Sequence, residues 1–204
     1  MHAEFTIRVK TILGAGRLFG EYDIRADKDF AMELNGPFGM QAGRFVLRDS
    51  SFEMTLGRGE VHIGTVDTLS WERLTGFPLP PLSPRELFFP YVVLPEDSFQ
   101  TRSFQVTEDS TWIWQIETRD GYREIELDPQ QSIPLVERWY ENGVISAEKT
   151  YHAQRGVKRV PLAHRLTVTM PGPLGVQLDI GVESYKLKRQ WKKDPFVFQH
   201  RAEL

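Results

Sequence analysis

The chain has 204 residues, of which 26% are charged and 40% hydrophobic, and a net charge of −3. These values exclude a disordered polymer and a general electrostatic attraction to nucleic acid. Cysteine is absent, which excludes disulfide frameworks, thiolate metal sites and cysteine nucleophiles. The longest apolar runs, such as Ile133–Val136 and Phe88–Leu94, fall far short of the ~20 residues that a spanning helix needs.

No basic segment followed by an apolar stretch opens the chain, and a strand begins near Glu4. The expectation is a mature domain, with any signal or lipidated cysteine lying upstream of Met1. From there the pattern is mostly of period two. Phe5, Ile7 and Val9 alternate with Thr6, Arg8 and Lys10, as on a half-buried strand. The rhythm returns at Leu18–Ile24, Phe30–Leu34, Phe45–Leu47 and Phe52–Leu56, with turn residues such as Gly14-Ala15-Gly16 and Arg48-Asp49-Ser50 between the runs. It resumes at Trp112–Ile116, Tyr122–Leu127, Leu135–Tyr140, Val144–Tyr151, Arg165–Met170 and Val176–Val182. Asn142-Gly143, between two such runs, is the strongest hairpin signal in the chain and suits a type I′ turn. Ten or eleven short strands in up-and-down order predict one mainly β domain over residues 1–204, built on a large antiparallel sheet that curls or closes.

One region breaks the rhythm. Thr68–Leu74 carries apolar residues at helical spacing after a Ser/Thr cap, and Phe77–Pro84 holds four prolines. Pro84 is suited to open a second short helix through Leu87-Phe88-Phe89. Prolines rule out a central strand, and so greasy a segment cannot hang in water. It is therefore read as a lid, roughly residues 66–97, over the concave face. Trp71, Leu74, Phe77, Leu79, Leu87 and Phe88 are expected to line an apolar cavity beneath it, with joints at Gly76, Pro78, Pro80 and Pro81.

Two motifs sharpen this. Asn35-Gly36-Pro37-Phe38-Gly39 is followed, about forty residues on, by Leu74-Thr75-Gly76-Phe77-Pro78-Leu79-Pro80. In this order, within a series of alternating strands, they resemble the lipoprotein carrier and receptor family of the Lol pathway, over about Phe5 to Val93. The family's lipidated cysteine and short N-terminal helix have no counterpart here. The resemblance implies a half-barrel with a helical lid and no enzyme activity or cofactor. It further implies lipoproteins or acyl lipids as ligands, a periplasmic carrier protein as partner, and peripheral contact with a membrane. The implied place is the bacterial periplasm or the inner face of the outer membrane. In that family the position matching Phe38 is an exposed leucine that helps to deliver lipoprotein to the membrane. From the residues alone, an aromatic at such a tip either folds back as a plug or projects into solvent.

The physics suits that task. Each buried methylene contributes about 0.8 kcal/mol, so a chain of about 16 carbons resists leaving an apolar site by on the order of 12 kcal/mol. Five Trp and thirteen Phe are ample material for a lining. A second Gly-Pro-x-Gly turn, Gly172-Pro173-Leu174-Gly175, echoes the first. The cluster Lys186, Lys188, Arg189, Lys192 and Lys193 around Trp191 is either a headgroup contact or a solvated strand and turn. Gly14-x-Gly16-x-x-x-Gly20 has the wrong spacing for a dinucleotide fingerprint, His62, His152 and His164 lack metal-ligand spacing, and no Gly-x-Ser-x-Gly elbow occurs. The alternative is a half-barrel binder or enzyme acting on another hydrophobic small molecule. A cavity with convergent titratable groups favours it.

Overall fold

The computed structural model describes the whole chain except residues 26–28, 58, 66–83, 93–99, 119–120, 132, 158–159, 174, 188–190, 192–193 and 200–204. The alternating runs become β1 (His2–Thr11), β2 (Gly14–Arg25), β3 (Asp29–Asn35), β4 (Gln41–Arg48), β5 (Ser51–Leu56) and β6 (Val61–Thr65). A short helix, α1 (Pro84–Phe88), follows. Then come β7 (Thr101–Val106), β8 (Trp112–Thr118), β9 (Gly121–Asp128), β10 (Ile133–Glu141), β11 (Val144–Val157), β12 (Val160–Met170) and β13 (Val176–Lys186). All lie in one sheet of order β6-β5-β4-β3-β2-β1-β13-β12-β11-β10-β9-β8-β7, whose two edges, β6 and β7, are not joined. The sheet is open and its neighbouring strands pair antiparallel.

Thirteen strands among the described residues, against the ten or eleven expected, is a correction with a physical reason. The two extra strands are β6 and β7, the sheet's edges. An edge strand has a partner on one side only and need not bury an alternating face, so its pattern is weak. The β1–β2 turn is also displaced: Gly14 and Gly16 lie inside β2, and the turn falls at Ile12-Leu13. Asn142 and Gly143, by contrast, have φ of 51° and 78°, as the type I′ hairpin requires.

The chain divides into two compact units. The first comprises residues 1–8, 16–77 and 182–204. On one of its sheet faces the rings of Phe5, Tyr22, Phe30, Phe45 and Phe52 follow one another at 5.5–6.3 Å between centroids. Every one is buried. Each contact of this kind adds about 0.5–1.5 kcal/mol beyond burial. On the opposite face, the register Asp23↔Ala31↔Val46↔Glu53 receives the C-terminal segment. Phe196 packs on Ala31 and Val46, flanked by Trp191 and Phe198. Arg44 donates to the carbonyls of Pro195 and Val197, both at 3.0 Å, and pairs with buried Glu53 at 3.3 Å. Glu53 in turn accepts the Gln199 N–H. Trp191, expected within a basic cluster, donates its indole N–H to Asp23 at 2.7 Å and stands edge-on to Phe196.

The second unit comprises residues 9–15 and 78–181. The cross-strand pairs Trp114↔Ile125, Ile125↔Glu137, Glu137↔Lys149 and Lys149↔Val168 place these side chains on one face. The other face carries Arg138 among Glu124 (3.0 Å), Glu126 and Glu148 (2.8 Å). These carboxylates hold the Arg138 guanidinium above its ordinary pKa despite partial burial.

Candidate functional site

The turn between β3 and β4 is closed by the Gly36 N–H donating to the Met40 carbonyl at 2.8 Å. Pro37 presets the first step of a single 3-10 turn, Pro37–Gly39. Phe38 then takes φ 61°, ψ 20°, and Gly39 takes φ 73°. Glycine adopts this left-handed region freely, whereas a residue with a Cβ meets its own carbonyl and loses about 1–2 kcal/mol. Burial of the ring does not offset that cost, because the Phe38 side chain is 101% exposed. Met40 beside it is also largely exposed. Of the two conformations open to the sequence, the turn adopts the projecting one.

Of the expected lid residues, Trp71, Leu74, Phe77 and Leu79 lie outside the described residues. Leu87 and Phe88 are described: they belong to α1 and are 3% and 5% exposed. Pro84 opens this helix, where its fixed φ and missing N–H do no harm. Two inward bonds hold α1 to the β11 surface: the Lys149 ammonium donates to the carbonyls of Glu86 at 2.6 Å and Phe89 at 2.8 Å. One residue on, the Ala163 N–H donates to the Pro90 carbonyl at 3.4 Å.

Around Lys149 lies a buried ionic group that sequence reasoning missed. Glu137 accepts hydrogen bonds from Arg123 and from the Tyr151 hydroxyl. Arg123 also stands 3.9 Å from Glu86 of α1 and lies over the Trp139 ring. Burial drives the Lys149 ammonium down to about 8, against the pull of Glu137 and helped by Arg123. Burial, reinforced by the Glu137 carboxylate, pushes the Tyr151 phenol well up. Here, then, are a carboxylate, a phenol and two cations in one buried place. Their hydrogen bonds run to one another, to the Glu86 carbonyl of α1 and to the Phe89 carbonyl just after it, so the geometry serves to seat the helix.

The same sheet face carries a second feature. Register places Phe104 opposite Trp114, and Val106 opposite Trp112, on the face that bears Ile125 and Glu137. Phe104, Val106 and Trp112 are exposed, and the rings of Phe104 and Trp112 meet edge to face at 5.7 Å. Trp114 is half-buried and donates its indole N–H to Thr101 at 3.1 Å. An apolar surface thus stands open on the face against which α1 packs. The Trp-x-Trp pair of β8 is the sequence signal that marks it.

These features define a class: an open antiparallel sheet whose two edge strands are joined in the sequence by a proline-rich connector containing a short helix. Among solved structures, the chain is similar to a domain ascribed to an outer membrane lipoprotein-sorting protein of Vibrio parahaemolyticus. The TM-score is 0.68 at 11% identity, over 96% of this chain and 88% of that one. It is likewise similar to a LolA superfamily protein from Nitrosomonas europaea, with TM-score 0.67 and 9% identity over 93% and 86% of the two chains. A DUF1329 family protein from Desulfovibrio piger gives 0.57 and 10% over 89% and 82%. At such identities the likeness is one of fold, and the fold is LolA/LolB-like. No protein-family model matches the sequence, and no curated protein does.

Proposed function

We propose that this protein is a non-enzymatic lipoprotein-binding protein of the bacterial periplasm or the inner face of the outer membrane. It shelters acyl chains against an apolar surface and delivers lipoproteins or lipids to the membrane. The observation that carries this reading is Phe38, a large apolar side chain held in a strained turn with no packing reward in the fold. Strain that the fold does not repay points to use outside it. The Phe104, Val106 and Trp112 surface supports acyl-chain binding, because it lies on the face that α1 covers. Trp71, Leu74, Phe77, Leu79, Leu87 and Phe88 are proposed as the lid lining, and Phe38 as the membrane contact.

A second reading draws on the buried Arg123, Glu137, Lys149 and Tyr151 group: a binder or enzyme for another hydrophobic small molecule. Against it, those groups already hold α1 and one another. A fluorescent fatty-acid probe separates the two. Under the carrier reading, Trp112→Ala and Phe104→Ala weaken probe uptake while Glu137→Gln, in a chain that still folds, retains it. Uptake that is lost in Glu137→Gln and unchanged in both aromatic variants would reverse the order of the two readings.

A further inference from the structure

We propose that the β1–β2 hairpin tip, together with the adjoining β12–β13 turn, is a contact for an anionic phospholipid bilayer, separate from Phe38. The tip is built to display rather than to bury. Ile12 and Leu13 are 72% and 75% exposed, although turns ordinarily take small polar residues. Their conformation is locked by Thr11, whose hydroxyl accepts the Leu13 N–H at 3.1 Å and donates to the Gly14 carbonyl at 3.3 Å.

Against Ile12 lies the second Gly-Pro-x-Gly turn. It is closed by the Gly175 N–H donating to the Gly172 carbonyl at 3.0 Å. A Cβ placed on Gly175, which has φ 51°, would touch the Ile12 side chain at 3.8 Å. Pro171, Gly172 and Pro173 are exposed as well.

Charge decides what such a protrusion meets. Residues 11–16 and 170–178 contain no charged side chain, in a chain that is 26% charged. In the sequence, basic residues bracket the tip, Lys10 before it and Arg17 after it. Lys10 is largely exposed and shares Asp179 at 3.4 Å. An uncharged aliphatic knob with cations behind it is the arrangement that enters an acyl–headgroup boundary while holding lipid phosphates. It offers no charged side chain with which to single out a protein surface.

The chain lacks cysteine, so Leu13→Cys can carry a single environment-sensitive dye. With phosphatidylcholine vesicles containing phosphatidylglycerol, the dye should shift to the blue, and less so with phosphatidylcholine alone. Ile12→Glu with Leu13→Glu should lower vesicle co-flotation by about tenfold or more, since carboxylates resist the apolar region. The loss should appear equally in a Phe38→Glu background. Should the glutamate pair fail to fold, the Ile12→Ser with Leu13→Ser pair gives the same test. A dye that stays in water while the protein floats, flotation unchanged in the folded double variant, or no flotation of the unsubstituted chain would each overturn the proposal. The carrier reading is tested separately by acyl-probe uptake, which these tip variants leave unchanged.

Discussion

Phe38→Glu separates a surface tool from a core residue. A Phe→Ala change in a core costs about 3–5 kcal/mol through lost burial and cavity formation. Phe38 is fully exposed, with φ 61°, so its replacement removes no buried area and any stability change stays within about 0.5 kcal/mol. For a domain of this size that is about 1–2 °C in Tm. Phe38→Gly should be slightly stabilising, because glycine relieves the left-handed strain of about 1 kcal/mol. Transfer should respond quite differently. A carboxylate in place of a ring entering the bilayer costs at least about 2 kcal/mol, or about thirtyfold in partition. The assay pairs thermal melts with movement of a lipoprotein from this protein into liposomes. A midpoint fall of more than about 5 °C, or transfer at the unsubstituted rate, would refute the reasoning.

The buried group gives a pH signature. Lys149 is lowered from an ordinary 10.5 to about 8, so between those values the unfolded chain holds a proton that the folded chain has released. Stability should therefore rise as pH climbs from about 8 towards 10, by at most about 3 kcal/mol, and be lost on returning to 8. Above about 10 the raised Tyr151 phenol adds the opposite slope. Denaturant midpoints across this range should show the rise, and Lys149→Met should abolish it. Glu137→Ala strands the Arg123 charge and should cost about 3–5 kcal/mol by urea unfolding. Phe196→Ala should cost about as much, because its ring is wholly buried against Ala31 and Val46. A loss below about 1 kcal/mol in that variant would show that the C-terminal segment contributes little.

Much of the sheet was legible because apolar residues recur at alternate positions along eleven of the strands, as Phe30, Met32, Phe45 and Leu47 do. β6 and β7 were not, since edges need no alternating burial. The C-terminal segment was illegible for another reason. Phe196 and the Pro195 and Val197 carbonyls are held by Ala31, Val46 and Arg44, about 150 residues earlier, and no local period records such a contact. The ionic group escaped because β9, β10 and β11 carry charges on both faces. Arg123, Glu137 and Lys149 point one way while Glu124, Arg138 and Glu148 point the other, so parity alone does not reveal which set is buried. The Phe38 turn was legible as an anomaly, an aromatic where turns take small residues. The true β1–β2 tip was hidden by the glycines that follow it.

Native mass spectrometry of the protein purified from membranes tests the central claim most directly. The account predicts adducts with the masses of acyl lipids or acylated polypeptide, reduced in Trp112→Ala and Phe104→Ala. A chain that emerges free of acyl adducts, or that consistently carries one polar small molecule instead, would contradict it.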